Sequence, residues 1–522
     1  MKIEKEIVLA LINEGATNRA DFRRVVASVY RNHNTKGYHA NIKLREEYDK
    51  MVQAGEIDRN EGLEKLLITK RLRSASGVSV ITVLTKPYEC PGKCIYCPDE
   101  KNVPKSYLSN EPAVMRAILA DYDPLRQVET RLKSLQKQGH PVDKVELIVI
   151  GGTFSYLPRD YQESFIKSCF DALNNSKSDN LLDAQQKNEK AKARCVGLTL
   201  ETRPDYINAK EVEWFRYLGA TRVELGVQSV FDDVLAANCR GHKVAETISA
   251  TKLLKDAGFK ICYHLMPNLY KSDLKRDLEM FETVFEHEGF KPDYIKIYPT
   301  MVTEGTALFD LWQKGEYKSY SDDELVELIC SVKETVPYWI RIMRTIRDIP
   351  GTEIISGSKT SNLRQVVLEK LKSEGKTCRC IRCREVGLIN EPRNKEQGVE
   401  LFVDEYQASG GIEYFLSYES SDRKTLYSLL RLRLTSGQVL GEIKGAALIR
   451  EVHTYGQEVE VGGSSQIQHT GYGKALLVKA EKIAKENGYK KIAVIAGIGA
   501  REYYRKFGYE IEGTYLIKTL DK

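Results

Sequence analysis

The chain has no run of about 18 apolar residues, no apolar block behind a short basic start, no internal repeat, and no fourth cysteine in either of its two cysteine clusters. The first absence excludes a helical membrane span. From the second, no secretory leader is expected, since the start MKIEKEIVLALINEG is amphipathic and carries acid, and a cytoplasmic protein is expected. The third leaves no basis for a solenoid. The fourth matters most, because a closed structural metal site takes four protein ligands and each cluster here offers three.

Excess charge is also scarce, with a formal net charge of +6 over 522 residues. It is unevenly placed. Between Arg341 and Glu385, eleven lysines and arginines face five carboxylates, a surplus as large as that of the whole chain, which points to contact with a polyanion. At 42% hydrophobic and 29% charged, the sequence has the composition of a soluble protein of two to four domains.

Of the eleven cysteines, six fall in the clusters Cys90, Cys94, Cys97 and Cys378, Cys380, Cys383. In a cytosolic chain such spacing favours metal over disulfides. Cys169, Cys195, Cys239, Cys262 and Cys330 lie singly among apolar neighbours and are expected as buried thiols.

Residues 1–75 read as short helices rich in basic and aromatic side chains. Over 76–337, six strand-like runs (SVITVLT, VELIVI, CVGLTLE, RVELGVQ, KICYHLM, YIKIYPT) alternate with amphipathic helical segments, the pattern of parallel β/α units. Six strands predict a partial (β/α)6 barrel, with SKSDNLLDAQQKNEKAKAR as an insert or long surface loop. Residues 338–394 form a basic, cysteine-containing linker. Residues 395–522 carry antiparallel-looking strands around one long helix, an α+β domain.

The first cluster, CPGKCIYCP, follows the first barrel strand, at the end of a parallel β/α fold where chemistry is placed. Three thiolates can hold three irons of a 4Fe-4S cluster and leave one iron open. The spacing C-x3-C-x2-C, with Tyr96 before the last cysteine, resembles the radical S-adenosylmethionine (SAM) family. That resemblance implies SAM on the open iron, with its amino group near Gly151, Gly152 and Thr153; a threonine in the third place departs from the family's usual acid. Glu201 and Arg203, and Glu224 and Gln228, close the third and fourth strands with polar groups suited to the ribose or the methionine carboxylate.

In the second domain, Gln468-His-Thr-Gly471-Tyr472-Gly473 precedes the long helix, a place where backbone N–H groups can receive a phosphate. The succession of strand, glycine loop, helix, strand and REYYRKFGY resembles the GNAT acetyltransferase family. It implies acetyl-CoA with its pyrophosphate on that loop, its pantetheine arm along Glu451, Val452, His453 and Thr454, and Tyr503 or Tyr504 near the thioester. Cys378-Arg-Cys380-Ile-Arg-Cys383 joins the two units and reads as a structural zinc site with no visible fourth ligand.

Radical SAM barrel, cysteine–arginine linker and GNAT domain together resemble, end to end, the catalytic third-subunit family of Elongator in its archaeal type, the tRNA uridine carboxymethyl synthases. The resemblance implies a radical taking hydrogen from the methyl of acetyl-CoA, addition to C5 of a wobble uridine, and thioester hydrolysis to 5-carboxymethyluridine. Lys144 would reach the cofactor. The tRNA anticodon loop would lie on the basic segments, and Elongator-type subunits or a homodimer are the implied partners. The competing reading is a protein lysine acetyltransferase with a purely structural cluster, for which Glu451 and His453 are candidate bases.

Overall fold

The computed structural model describes residues 2–34, 41–69, 74–388, 398–455 and 471–520. Four helices open the chain: α1 (Ile3–Asn13), α2 (Arg19–Asn32), α3 (Asn41–Gln53) and α4 (Glu61–Leu67). Asn18 and Asn60 start α2 and α4 by accepting backbone N–H groups on their side-chain oxygens. The apolar stripes of the four helices close on one another in a core of their own, built on Ile7, Leu11, Val25, Leu44, Tyr48 and Leu67. Arg23, Arg24, Arg31, Lys43 and Lys50 are left on the outside.

Seven strands follow in one parallel sheet, in chain order: β1 (Ser79–Leu84), β2 (Lys144–Ile150), β3 (Arg194–Thr202), β4 (Arg222–Gln228), β5 (Lys260–Leu265), β6 (Tyr294–Ile297) and β7 (Arg341–Arg344). β1 and β7 do not pair with each other, so the sheet forms an open barrel wall with helices packed outside it.

Three expectations are corrected here. The barrel has a seventh strand, missed because Arg-Ile-Met-Arg is only four residues long, two of them charged, and so carries no strand alternation. The segment expected as a loop contains the helix Leu181–Asn188, capped by Asn180, with Leu181, Ala184 and Asn188 buried. The Asn188 side chain ties this helix to β3 by accepting from Cys195 N at 2.7 Å and donating to Ala193 O at 3.1 Å. Cys239 is exposed, turned outward by a positive φ of 51° just past the helix Asp232–Ala237; the other four single cysteines are buried.

The second sheet contains β8 (Val399–Ala408), β9 (Gly411–Ser420), β10 (Leu426–Leu434), β11 (Ala446–Thr454), β12 (Lys491–Val494), β13 (Glu510–Glu512) and β14 (Tyr515–Thr519), in the order β13-β14-β12-β11-β10-β9-β8. β11 and β12 run parallel; the other pairings are antiparallel. The helix Tyr472–Glu486 covers one face through Leu476, Leu477 and Ala480.

This unit sits against the amino ends of the barrel strands. Gly497 and Gly499 pack so closely on Val196 and Arg194, at the start of β3, that a Cβ on either would fall within 2.5 Å of their atoms. Tyr515 donates to Ala257 O at 2.6 Å, and Arg450 donates to Phe259 O at 2.7 Å. Between the units, four buried cations (Lys255, Arg431, Arg433, Arg450) meet four buried carboxylates (Asp256, Asp293, Glu413, Glu451). Among the described residues no helix is long and apolar enough to cross a membrane.

Candidate active site

The loop holding Cys90, Cys94 and Cys97 lies at the carboxyl mouth of the barrel and is braced by two arginines from other loops. Arg240 donates from Nε and Nη2 to Gly226 O at 3.2 and 2.5 Å, which aims its Nη1 at Cys94 Sγ, 3.5 Å away. Arg203 is clamped by Asp205 at 2.9 and 2.8 Å, leaving its Nη1 buried and without a protein partner. A Cβ on Gly92 would stand 2.7 Å from that nitrogen and 3.6 Å from the sulfurs of both Cys90 and Cys94, so glycine is needed for the loop to wrap this closely. A hydrogen bond from Cys97, helped by the Arg240 charge and opposed by burial, draws the Cys94 thiol down to about 5, toward the thiolate that binds metal.

The loop opens into a cavity of about 620 Å³, within the range of small-molecule sites, which runs into the barrel lumen. Gly152, Thr153, Glu201, Arg203 and Gln228, expected at the ends of β2, β3 and β4, line it together, whereas Gly151 and Glu224 do not. Gln228 has a positive φ of 70°, a strained conformation for this side chain, and its buried Oε1 has no partner. Arg203 Nη1 and Gln228 Oε1 are thus unsatisfied polar atoms on one wall, which fits a polar ligand bearing both acceptor and donor groups.

Gly151 and Gly152 have φ of 134° and 97°, and a Cβ on Gly151 would meet Thr85 Oγ1 at 2.1 Å. Gly151→Ala is expected to cost about 1–3 kcal/mol of backbone strain in addition to that clash. Thermal unfolding of the variant checks this, and an unchanged midpoint would show that the turn is not constrained.

Glu224 is placed differently from the other expected ligands. It is fully buried below the cavity, accepting from His264 Nε2 at 2.8 Å and paired with Lys296 and, at 3.7 Å, with Arg222. Burial raises its pKa, but Lys296, His264 and Arg222 outweigh this and hold it well below the carboxylate range. Its role is to fix His264 and Lys296, which do line the cavity.

From there a row of polar contacts descends the lumen. Arg222 pairs with Glu146 and lies 5.2 Å over the Tyr294 ring, and Tyr294 donates to Glu451 Oε1 at 2.5 Å. Arg240, His264, Lys296 and Tyr107, whose hydroxyl donates to Glu201 at 3.2 Å, were not foreseen. The available signal was a polar residue at an inward position of a buried strand, as Lys296 is between two isoleucines in Tyr-Ile-Lys-Ile.

In the second unit, Tyr503 Oη would lie 2.7 Å and Thr454 Oγ1 3.5 Å from a Cβ on Gly473, so the strand end, the glycine and this tyrosine converge. Gly471 starts the helix with a φ of 83°, and Tyr472 packs on Tyr418 at 4.6 Å. Tyr503 is half-exposed, whereas Tyr504 is buried in the domain core and its hydroxyl pKa is raised by burial. Gln468 lies outside the described residues.

His453 donates from Nε2 to Ser76 O at 2.7 Å, ahead of β1, and burial lowers its pKa, so the neutral ring leaves Nδ1 as an acceptor. Glu451 is occupied by Tyr294 and by Arg431 at 2.8 Å; burial raises its pKa, but Lys260, Arg431 and His453 bring it to about 2. Val452 packs against the domain core. Lys144 is the first residue of β2, beside Arg194 in the sheet, and therefore at the mouth where the second unit docks.

The sulfurs of Cys378, Cys380 and Cys383 lie within 4.8 Å of one another, the convergence a single ion needs. Lys333, from the helix Asp322–Thr335, approaches Cys378 at 3.5 Å and Cys383 at 3.6 Å. Much of the basic surplus nearby is engaged internally. Arg341 pairs with Glu385, Arg347 with Ser106 and Glu111, and Arg384 with Glu419, while Arg364 donates to the Ile342 and Met343 carbonyls. Counting charges along the sequence therefore overstates the number facing outward.

Comparison with known proteins agrees with this division. Residues 86–281 match the Radical SAM superfamily, residues 292–373 the Radical_SAM C-terminal domain and residues 396–509 the Acetyltransferase (GNAT) family. The chain is 47% identical over 470 residues to the tRNA uridine(34) acetyltransferase of Methanocaldococcus jannaschii, covering 87% of each chain. To Elongator complex protein 3 of Homo sapiens it is 44% identical, covering 87% of this chain and 86% of that one. The solved Methanocaldococcus infernus Elp3 with an N-terminal deletion superposes with a TM-score of 0.76 at 42% identity, covering 85% of this chain and all of that one.

Proposed function

The chain belongs to the family of tRNA uridine(34) acetyltransferases and Elongator complex protein 3, enzymes joining a radical SAM domain to a GNAT domain, and on that premise we propose that it carboxymethylates the wobble uridine of tRNA. The observation that carries the proposal is the placement of the two candidate sites. The three-cysteine loop and its cavity occupy one mouth of the barrel, the GNAT unit closes the other, and a row of lumen side chains joins them.

On this reading Cys90, Cys94 and Cys97 would hold a 4Fe-4S cluster, and the cavity beside them would take SAM. Once bound, these groups supply a 5′-deoxyadenosyl radical able to take hydrogen from the unactivated methyl of acetyl-CoA. Gly151, Gly152, Thr153, Glu201, Arg203 and Gln228 bind and orient SAM; the glycines expose backbone carbonyls where Thr153 replaces an acid. Arg240 holds the cysteine loop and balances its thiolate charge. Glu224 keeps His264 and Lys296 aimed into the cavity.

At the other mouth, N–H groups at Gly471, Tyr472 and Gly473, together with Gln468, receive the acetyl-CoA pyrophosphate. The backbone of Glu451–Thr454 pairs with the pantetheine arm, and Lys144 and Tyr503 border the thioester. Cys378, Cys380 and Cys383 hold a structural zinc. The anticodon loop of tRNA approaches the carboxyl mouth, and Elongator-type subunits or a second copy are the candidate partners. The saturation of Glu451 by Tyr294 and Arg431 removes one of the two candidate bases of the lysine acetyltransferase reading and leaves it His453.

The test is anaerobic turnover with a reconstituted cluster, reductant, SAM, acetyl-CoA and tRNA, read by mass spectrometry. Modified uridine that depends on acetyl-CoA is expected, with 5′-deoxyadenosine as co-product. Acetyl-lysine on protein with no uridine product would replace this reading with its rival.

A further inference from the structure

Three tyrosines stand in a row on the rim of the carboxyl mouth. Tyr88, Tyr156 and Tyr206 come from the loops after β1, β2 and β3, the loops that also supply Cys90, Thr153 and Arg203 to the cavity. Tyr88 is 44% and Tyr156 39% exposed, against the usual burial of aromatic rings, and Tyr206 is half-buried. Successive ring centroids are 6.0 and 6.1 Å apart, with the planes at 64° and 84°. Among the described residues no hydrogen bond to the three hydroxyls is present, so the rings are not there to anchor a polar network. Lys86 and Lys93 are exposed on the first of these loops and Lys210 on the helix after the third, whereas Arg159, after the second, is held by Glu211 and the Trp214 ring.

We infer that this row is a stacking platform for the nucleotides flanking the target uridine, an inference that rests on the tRNA reading above. An aromatic face accepts any base, and cations beside it take the phosphates. The steep angles between the rings add a restriction. Bases lying flat on successive tyrosines cannot remain stacked on each other, so the platform fits a splayed single strand and excludes a duplex. A base that must enter the cavity has to leave its stack, and rings that hold its neighbours apart compensate for the lost stacking.

The test is a double-mutant cycle on the full-length chain, using a synthetic anticodon stem-loop RNA and its counterpart with the bases on both sides of the uridine made abasic. The protein partners are the wild type and the triple variant Tyr88→Ala/Tyr156→Ala/Tyr206→Ala, with the triple Tyr→Phe variant as the conservative control. Removing either the rings or the bases is expected to weaken binding about tenfold, and removing both is expected to weaken it no further, because each loss removes the same contact. The phenylalanine variant should bind like the wild type.

Independent effects that multiply, or no effect of the alanines, would overturn the platform while leaving the enzymatic reading intact. A weakened phenylalanine variant would also overturn it, by assigning the contact to the hydroxyls. Failure of the wild type to bind either RNA would overturn both readings. Should the alanine variant unfold, Tyr156→Leu in the same cycle replaces it, because an exposed leucine keeps the side-chain bulk without a π face.

Discussion

Cys94→Ala should abolish both 5′-deoxyadenosine release and uridine modification, while leaving the fold in place. Cys94 is buried where Cys90 and Cys97 are partly exposed, and its sulfur faces the Arg240 guanidinium at 3.5 Å. Removing it leaves two thiolates, too few for a cluster that already lacks one protein ligand. The loss should be complete, because the loop holds no fourth cysteine to replace it. Iron content and the visible absorbance of the reconstituted protein check the first step independently of turnover. Full product formation by the alanine variant would exclude the cluster from the reaction. Arg240 keeps its two bonds to Gly226 O in the variant, so the melting temperature should change little.

Asp293→Ala should have the largest effect on stability. The carboxylate is fully buried between the units, receiving Arg450 at 2.9 and 2.5 Å, Ile261 N at 2.8 Å and Arg431 at 3.4 Å. Its removal takes a carboxylate from two buried guanidinium groups, left with Glu413 and Glu451 alone as counter-charges, and leaves the Ile261 N–H without its acceptor away from water. Breaking one side of a buried pair costs about 3–5 kcal/mol, against about 5–15 kcal/mol for a whole domain. Denaturant unfolding measures the difference, and a change under about 0.5 kcal/mol, the scatter of surface substitutions, would show the network to be dispensable.

Acid should weaken the same interface in the wild type. Glu451 is depressed to about 2 from an ordinary 4.5, so its contribution is fully present above pH 4.5 and is lost as the pH falls through 2.

The sequence made the large divisions legible because each depends on a local period: strand and helix alternation for the barrel, a glycine loop before a long helix for the second unit. Short or mixed elements escaped. Arg341–Arg344 has too few residues to show a period, and Leu181–Asn188 reads as polar because only one face is buried. Cys90, Cys94 and Cys97 could be found because they are adjacent in the chain. Arg240, His264 and Lys296 reach the same cavity from separate strands and loops, and only the folded sheet brings them within reach. Glu224 was recognised as a strand-end acid, but its orientation into the lumen depends on cations from β5 and β6 that strand propensity does not reveal.

The matched charges between the units also govern what happens when the chain is cut. On the GNAT side the set comprises Arg431, Arg433 and Arg450 against Glu413 and Glu451; on the barrel side, Lys255 against Asp256 and Asp293. Each fragment would therefore expose a polar face with a surplus of one charge, positive on one piece and negative on the other. Each piece would also expose apolar side chains that join the barrel core, Ile443, Leu448, Ile495 and Ile498 among them, so the charges supply mutual recognition, by an attraction that salt weakens, and not solubility. Complementation of separately made halves is thus favoured at low ionic strength, and the boundary between the units carries its own address.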